Sequence, residues 1–210
     1  MKKVLLMAIG LMAAGAIQAQ TRSTSKNMDE VSFGIKAGGN LSNIIKTDGN
    51  DVKTDFKPGF HAGVFVEIPV SQKLTFAPEV MYSQKGYKAD RFGGSLTQTT
   101  NWIDVPILAK IDLAPQFNIF LGPQVSFLTQ TRNKFEGAFG TVEQTTIENE
   151  SNKFRKSIAG GVIGAGVDIT PKIGLSARYA YDFQKSNENG TLTTPEFRNQ
   201  VIQASLGFKF

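Results

Sequence analysis

From Val201 to Phe210 every second residue is apolar: Ile202, Ala204, Leu206, Phe208 and Phe210 alternate with Gln203, Ser205, Gly207 and Lys209. Successive side chains of a strand point to opposite faces, so a period of two predicts a strand with one apolar and one polar face. Seven earlier segments carry the same pattern: 32–41, 57–68, 74–85, 102–111, 117–128, 157–169 and 173–183. In the second, Phe60, Ala62, Val64, Val66 and Ile68 oppose Gly59, His61, Gly63, Phe65 and Glu67; in the seventh, Leu175, Ala177, Tyr179, Tyr181 and Phe183 oppose Ser176, Arg178, Ala180 and Asp182. The sixth is small and apolar on both faces, and placing Ile163, Ala165, Val167 and Ile169 outward turns Asp168 inward.

The connections alternate in length. Pro69–Lys73, Asp112–Gln116 and Thr170–Lys172 are short and turn-like, whereas Ser42–Phe56, Gly86–Asn101, Thr129–Lys156 and Gln184–Arg198 are long and polar. Eight strands joined alternately by short turns and long loops are the pattern of a bacterial outer-membrane barrel, whose short turns and termini face the periplasm. The predicted fold is therefore all-β: an eight-stranded antiparallel up-and-down transmembrane β-barrel. Eight strands enclose just enough space for side chains to fill.

The polar faces supply that filling. Lys36, Lys85, Lys110, Arg178 and Lys209 fall on the inward rows, as do Glu67, Glu79, Asp104, Asp168 and Asp182. Buried charges are tolerated when paired and hydrogen-bonded. The balanced signs predict a salt-bridged plug and no open pore. Aromatic residues sit near both strand ends, with Trp102, Tyr82, Tyr87, Tyr181 and Phe183 at one and Phe76, Phe117, Phe208 and Phe210 at the other, as interfacial girdles would. Pro78, Pro106 and Pro123 cannot donate to a ladder, which predicts bulges there.

The ends of the chain fit the same location. Met1-Lys2-Lys3, an apolar run from Val4 to Ile17, and Gln18-Ala19-Gln20 read as a cleavable signal peptide over 1–19. Residues 20–31 then form a periplasmic segment, and 32–210 the barrel domain. The run is too short for a spanning helix, which needs about 20 residues. Phe208 and Phe210 are expected to serve as the signal read by the barrel-assembly machinery.

Composition narrows the function classes. The chain has no cysteine, which removes disulfides and thiolate metal sites. Loss of Lys2 and Lys3 with the leader lowers the formal charge from +5 to +3, a small excess that gives no case for nucleic acid. The lone histidine, His61, has no evident Ser or Asp partner in the sequence. Gly160–Gly166 lacks the strand-then-helix context of a nucleotide loop, and Asp48-Gly49-Asn50-Asp51 does not match calcium-loop spacing. No cofactor and no enzymatic activity are expected.

The run Pro78–Gly86, followed by Ile103–Lys110, resembles the PorT-like outer-membrane β-barrel family of Bacteroidetes, as do Lys57–Gly63 and Leu121–Pro123. The resemblance covers essentially the whole mature chain and implies a fold similar to OmpX- and OmpA-type small barrels. It implies a monomer in contact with outer-membrane lipid and lipopolysaccharide. The expected role is that of a structural or interaction protein displaying its long connections to surface partners. Two alternatives are an accessory part of a type IX-like secretion machine and a soluble lipocalin-like carrier. The carrier would need an apolar interior and a polar exterior.

The alternation of connections makes orientation testable: an epitope tag at Gly140 should be labelled on intact cells and one at Gln72 should not, whereas labelling of Gln72 alone would invert the topology.

Overall fold

The computed structural model describes residues 31–46, 54–91, 94–137, 140–147, 157–185 and 197–210; the expected signal peptide, all but the last residue of the segment after it, and Asp48–Asp51 lie outside these. Among the described residues there is no helix. Nine strands run β1 (Ser32–Lys46), β2 (Thr54–Pro69), β3 (Leu74–Arg91), β4 (Gly94–Ala114), β5 (Phe117–Gly137), β6 (Gly140–Ile147), β7 (Ser157–Asp168), β8 (Ile173–Asp182) and β9 (Phe197–Lys209). All pairings are antiparallel, and eight strands close a ring in the order β4-β3-β2-β1-β9-β8-β7-β5, joined by β4–β5. β6 stands outside the ring, paired with β5 alone.

Closure depends on β9. It pairs with β1 from Gly34↔Lys209 to Lys46↔Phe197, and the Phe210 N–H donates to Phe33 O at 2.9 Å. On its other side it pairs with β8 from Ile173↔Phe208 to Tyr181↔Gln200. Tight turns set the register at one end: Ser71 Oγ accepts from Leu74 N, and Thr170 Oγ1 from Ile173 N.

The two faces separate as the alternation predicts. Ile35, Leu41, Phe60, Leu121, Ile163, Leu206 and Ile202 are exposed on the outside, while Met81, His61, Lys85, Asp104 and Gln203 are fully buried inside. An apolar exterior around a polar interior is the reverse of a lipocalin-like carrier. Small inward residues make room for large ones: a Cβ on Gly164 would stand 2.5 Å from the Phe120 ring, so only glycine lets that ring lie across the interior.

Three expectations need correction. Trp102 and Tyr87, expected in a lipid-facing girdle, are buried inside, because they fall on the inward rows of their strands. The predicted loops Gly86–Asn101 and Thr129–Lys156 are largely strand. β4 and β5 run for 21 residues each, about twice a membrane crossing, and continue past the ring as a sheet with β3 and β6. Their extensions are rich in β-branched threonine, which suits a strand without providing the apolar alternation by which the spans were found. The prolines do not make bulges. The ladder skips two pairs opposite each of Pro78, Pro106 and Pro123 and resumes in the same register, so each gap costs hydrogen bonds without turning a face. The register shifts lie elsewhere: between Phe56 and His61 in β2, and in the β4–β5 ladder at Asn101/Trp102, where Thr129 of β5 is the extra residue, and at Asp112/Ala114.

Ile163 sits midway along β7, 61% exposed, paired with Leu121 and Tyr179. Ile163→Arg should destabilise the barrel in lipid by about 2–4 kcal/mol. Val142→Arg, on β6 outside the ring, should stay within about 0.5 kcal/mol. Urea titration in vesicles would measure both.

Candidate functional site

The interior is built from the inward rows of all eight ring strands, in three layers. At the short-turn end, Glu67 of β2 and Asp168 of β7 are bridged by two lysines. Lys110 reaches them at 3.0 and 3.5 Å and Lys209 at 2.9 and 3.3 Å. Asn118 also donates to Asp168. These groups rim a small open cavity of about 50 Å³, also lined by Gly166, Gly174 and Gly207.

In the middle layer Glu79 is held by two cations: Lys36, and Arg178 Nη1 at 2.6 Å. Arg178 Nε donates to Gln203 Oε1, and Gln203 Nε2 donates to Asn40 Oδ1 at 2.8 Å. Asn40 Nδ2 donates to Phe60 O and Gln84 O, which orients its Oδ1 toward the ring's centre. That oxygen also takes His61 Nδ1–H at 2.6 Å, so His61 Nε2 accepts from Ser205 Oγ at 2.7 Å. One hydrogen-bonded chain thus runs from Ser205 through His61, Asn40, Gln203 and Arg178 to Glu79 and Lys36. Toward the long-connection end, Lys85 pairs with Asp104 at 2.9 Å, donates to Ser126, and lies over the Trp102 ring.

Nine of the ten interior charges named from the sequence stand in ion pairs; Asp182 instead accepts from Asn199 Nδ2 at 2.8 Å. The neutral members Asn40, Gln203, Ser205 and Asn118 went unnamed as site residues, although their positions on the inward rows mark them; Asn199 lies before the predicted start of the last strand. Lys57 was also missed; it is buried near the start of β2, where its Nζ donates to Pro58 O. Phe208 and Phe210 lie on the outer face at the short-turn end, their rings 5.5 Å apart edge to face.

His61 therefore does have a serine and an amide partner, in the order nucleophile, base and orienting group that hydrolases use. All three side chains are buried, and none lines the cavity at the short-turn mouth. The arrangement is one of mutual satisfaction.

A second feature stands outside the ring. β6 pairs with β5 from Gln130↔Ile147 to Gly137↔Gly140, and its other edge has no partner strand among the described residues. Its residues Thr141 to Thr145 are exposed. On this sheet Lys134 and Glu136 meet at 2.5 Å; that hydrogen bond raises the lysine pKa and lowers the glutamate's from their ordinary values.

The family model described as outer membrane protein beta-barrel domain matches residues 18–187. Among solved structures, Neisserial surface protein A is similar with a TM-score of 0.52 at 19% identity, covering 87% of this chain and 100% of its own. Ail, the attachment invasion locus protein of Yersinia pestis, is similar with a TM-score of 0.51 at 12% identity, covering 85% and 98%. No curated protein matches the sequence.

The middle layer makes an ordered prediction. Glu79 faces two cations, so Glu79→Gln leaves both uncompensated and should cost about 3–5 kcal/mol in urea unfolding. Arg178→Leu should cost less, because Glu79 keeps Lys36. Equal costs would mean that the two cations do not share one carboxylate.

Proposed function

The chain belongs to the outer membrane protein beta-barrel domain family, and from that premise we propose that it is a closed surface-display barrel. It sits in the outer membrane. Its termini and short turns face the periplasm, and the sheet of β3, β4, β5 and β6 projects outside the cell. The observation that carries this reading is the contrast between the two ends: the interior is filled by paired charges and the long-connection end continues as a sheet beyond the ring. A filled interior suits no transport of bulky solutes, and a projecting sheet suits contact.

The partner class that fits is an extended peptide segment. The edge of β6 that has no partner strand among the described residues offers N–H and C=O groups, and strand addition to such an edge supplies main-chain hydrogen bonds. Ail, by its name an attachment protein, gives a precedent for a surface role on a similar fold. No enzymatic activity, cofactor or nucleic acid belongs to this proposal: the Ser205, His61 and Asn40 groups are buried and satisfied by one another. The PorT-like assignment within the family rests on Pro78–Gly86 and Ile103–Lys110. Phe208 and Phe210 are proposed as the contact with the assembly machinery, at the strand whose pairing closes the ring.

Planar-bilayer recording tests the closed interior: the purified barrel should give no large, stable conductance steps, and stable channels would contradict the plug.

A further inference from the structure

The register of β6 decides which of its backbone groups face away from β5. Gly137 and Gly140 pair across a two-residue connection, and only a hydrogen-bonded antiparallel pair closes so short a turn. Bonding alternates from there. Gly140, Val142 and Gln144 turn their N–H and C=O toward β5, whereas Thr141, Glu143, Thr145 and Ile147 turn theirs away. No strand meets those four among the described residues. Strand edges open to water are commonly blunted by lysine, proline or a bulge. β6 has none of the three: it reads Gly-Thr-Val-Glu-Gln-Thr-Thr-Ile, its ladder with β5 is unbroken, and its one charge, Glu143, is held by Arg132 at 3.1 Å.

The side chains of the sheet narrow what fits there. On one face a row of amides crosses it: Gln98 Nε2 donates to Asn133 Oδ1 at 3.0 Å, and Asn133 pairs with Gln144, where the row ends exposed at the edge. On the other face Lys134 lies opposite Glu143 and Arg132 opposite Thr145. A strand that extends both faces carries an amide where it meets Gln144 and a small polar residue backed by a cation where it meets Glu143. β6 itself, run the other way, is such a strand.

We propose that the edge is occupied by β6 of a second copy, paired antiparallel with Gln144 on the two-fold axis. This rests on the display reading above and names its partner. Only residues with outward N–H and C=O bond across the edge, so odd positions pair with odd ones. With Gln144 opposite itself, Thr141 pairs with Ile147 and Glu143 with Thr145, which uses all four outward residues of each copy. The amide row then runs unbroken through both copies, as amide ladders do between stacked strands. Each Glu143 faces Thr145 of the second copy, beside which lies that copy's Arg132. Moving the axis to Glu143 would set that carboxylate against itself, and like charges directly opposite are destabilising. Moving it to Thr145 would leave Thr141 unpaired. The interface is isologous. Because the sheet continues the barrel wall, an axis normal to it is perpendicular to the barrel axis and turns the second copy upside down. The pair therefore joins barrels in two facing membranes, not neighbours in one.

The chain has no native cysteine, so a single thiol along β6 reads the register directly. With one full mature chain per lipid nanodisc and a mild oxidant, only copies in different discs can meet. Gln144→Cys should cross-link, because its two copies stand about 4.5 Å apart between Cα atoms, within disulfide reach. Val142→Cys, Glu143→Cys and Thr145→Cys should not, since none of them meets its own copy. Thr145→Pro added to Gln144→Cys should slow cross-linking about tenfold: each copy loses one donor across the edge and keeps its bonds to β5. Heat-modifiable migration establishes that each variant is folded. A maximum at Glu143 or Thr145 would overturn the register, and equal rates at all four positions would overturn specific pairing. No cross-link anywhere, with a peptide of alternating threonine and valine still binding beside a fluorophore on β6, would overturn the second copy as occupant and leave the display reading standing. Failure of the Gly140 tag to label on intact cells, with the Gln144 cross-link present, would remove the display reading and leave the pairing.

Discussion

Every backbone N–H and C=O of a membrane-crossing strand must find a partner within the protein, because hydrocarbon offers none. That constraint makes the β1–β9 ladder the contact on which the rest depends. Seven of the eight ring pairings join strands close in sequence, but β1 and β9 lie at opposite ends of the described chain. Until they meet, the sheet has two open edges. Once they meet, the inward rows face one another and the charges of distant strands come within bonding distance: Lys209 of β9 reaches Glu67 of β2 at 2.9 Å, and Arg178 of β8 reaches Glu79 of β3 at 2.6 Å.

The interior is a consequence of closure and a condition of it. Charges this deep are expensive unless paired, and the fold pairs them in layers, with neutral amides carrying hydrogen bonds within them. His61 shows the logic: both ring nitrogens are engaged, by Asn40 and Ser205, and Asn40 is oriented by two main-chain carbonyls. A polar core of this kind fills the ring with paired groups, and the contacts proposed for this chain therefore lie outside it, on the projecting sheet.

The wall of the barrel was legible because lipid forces a strict period of two, and that period could be read on β9, β2 and β8 directly. The inward charges were legible for the same reason. What alternation does not carry is partnership. Parity places Asp182 inside without saying that an amide, Asn199, will meet it. It places Glu79 inside without saying that two cations share it. The extensions of β4 and β5 escaped because strands in water need no apolar face, and their threonines and glutamines read as loop. The prolines misled in the other direction: each interrupts the ladder by paired gaps on both strands, and register survives. Asn199 escaped because the last predicted strand began at Val201, and the ladder with β1 continues to Phe197.

The central claim is that one ring closes with apolar rows outward and charged rows inward. The absence of native cysteine makes it directly measurable by single-cysteine spin labels along β9 in lipid vesicles. Labels at Ile202, Ala204 and Leu206 should collide freely with lipid-dissolved oxygen, and labels at Val201, Gln203 and Ser205 should not, giving a period of two across the strand. A flat profile, or one with the odd positions facing lipid, would contradict the account.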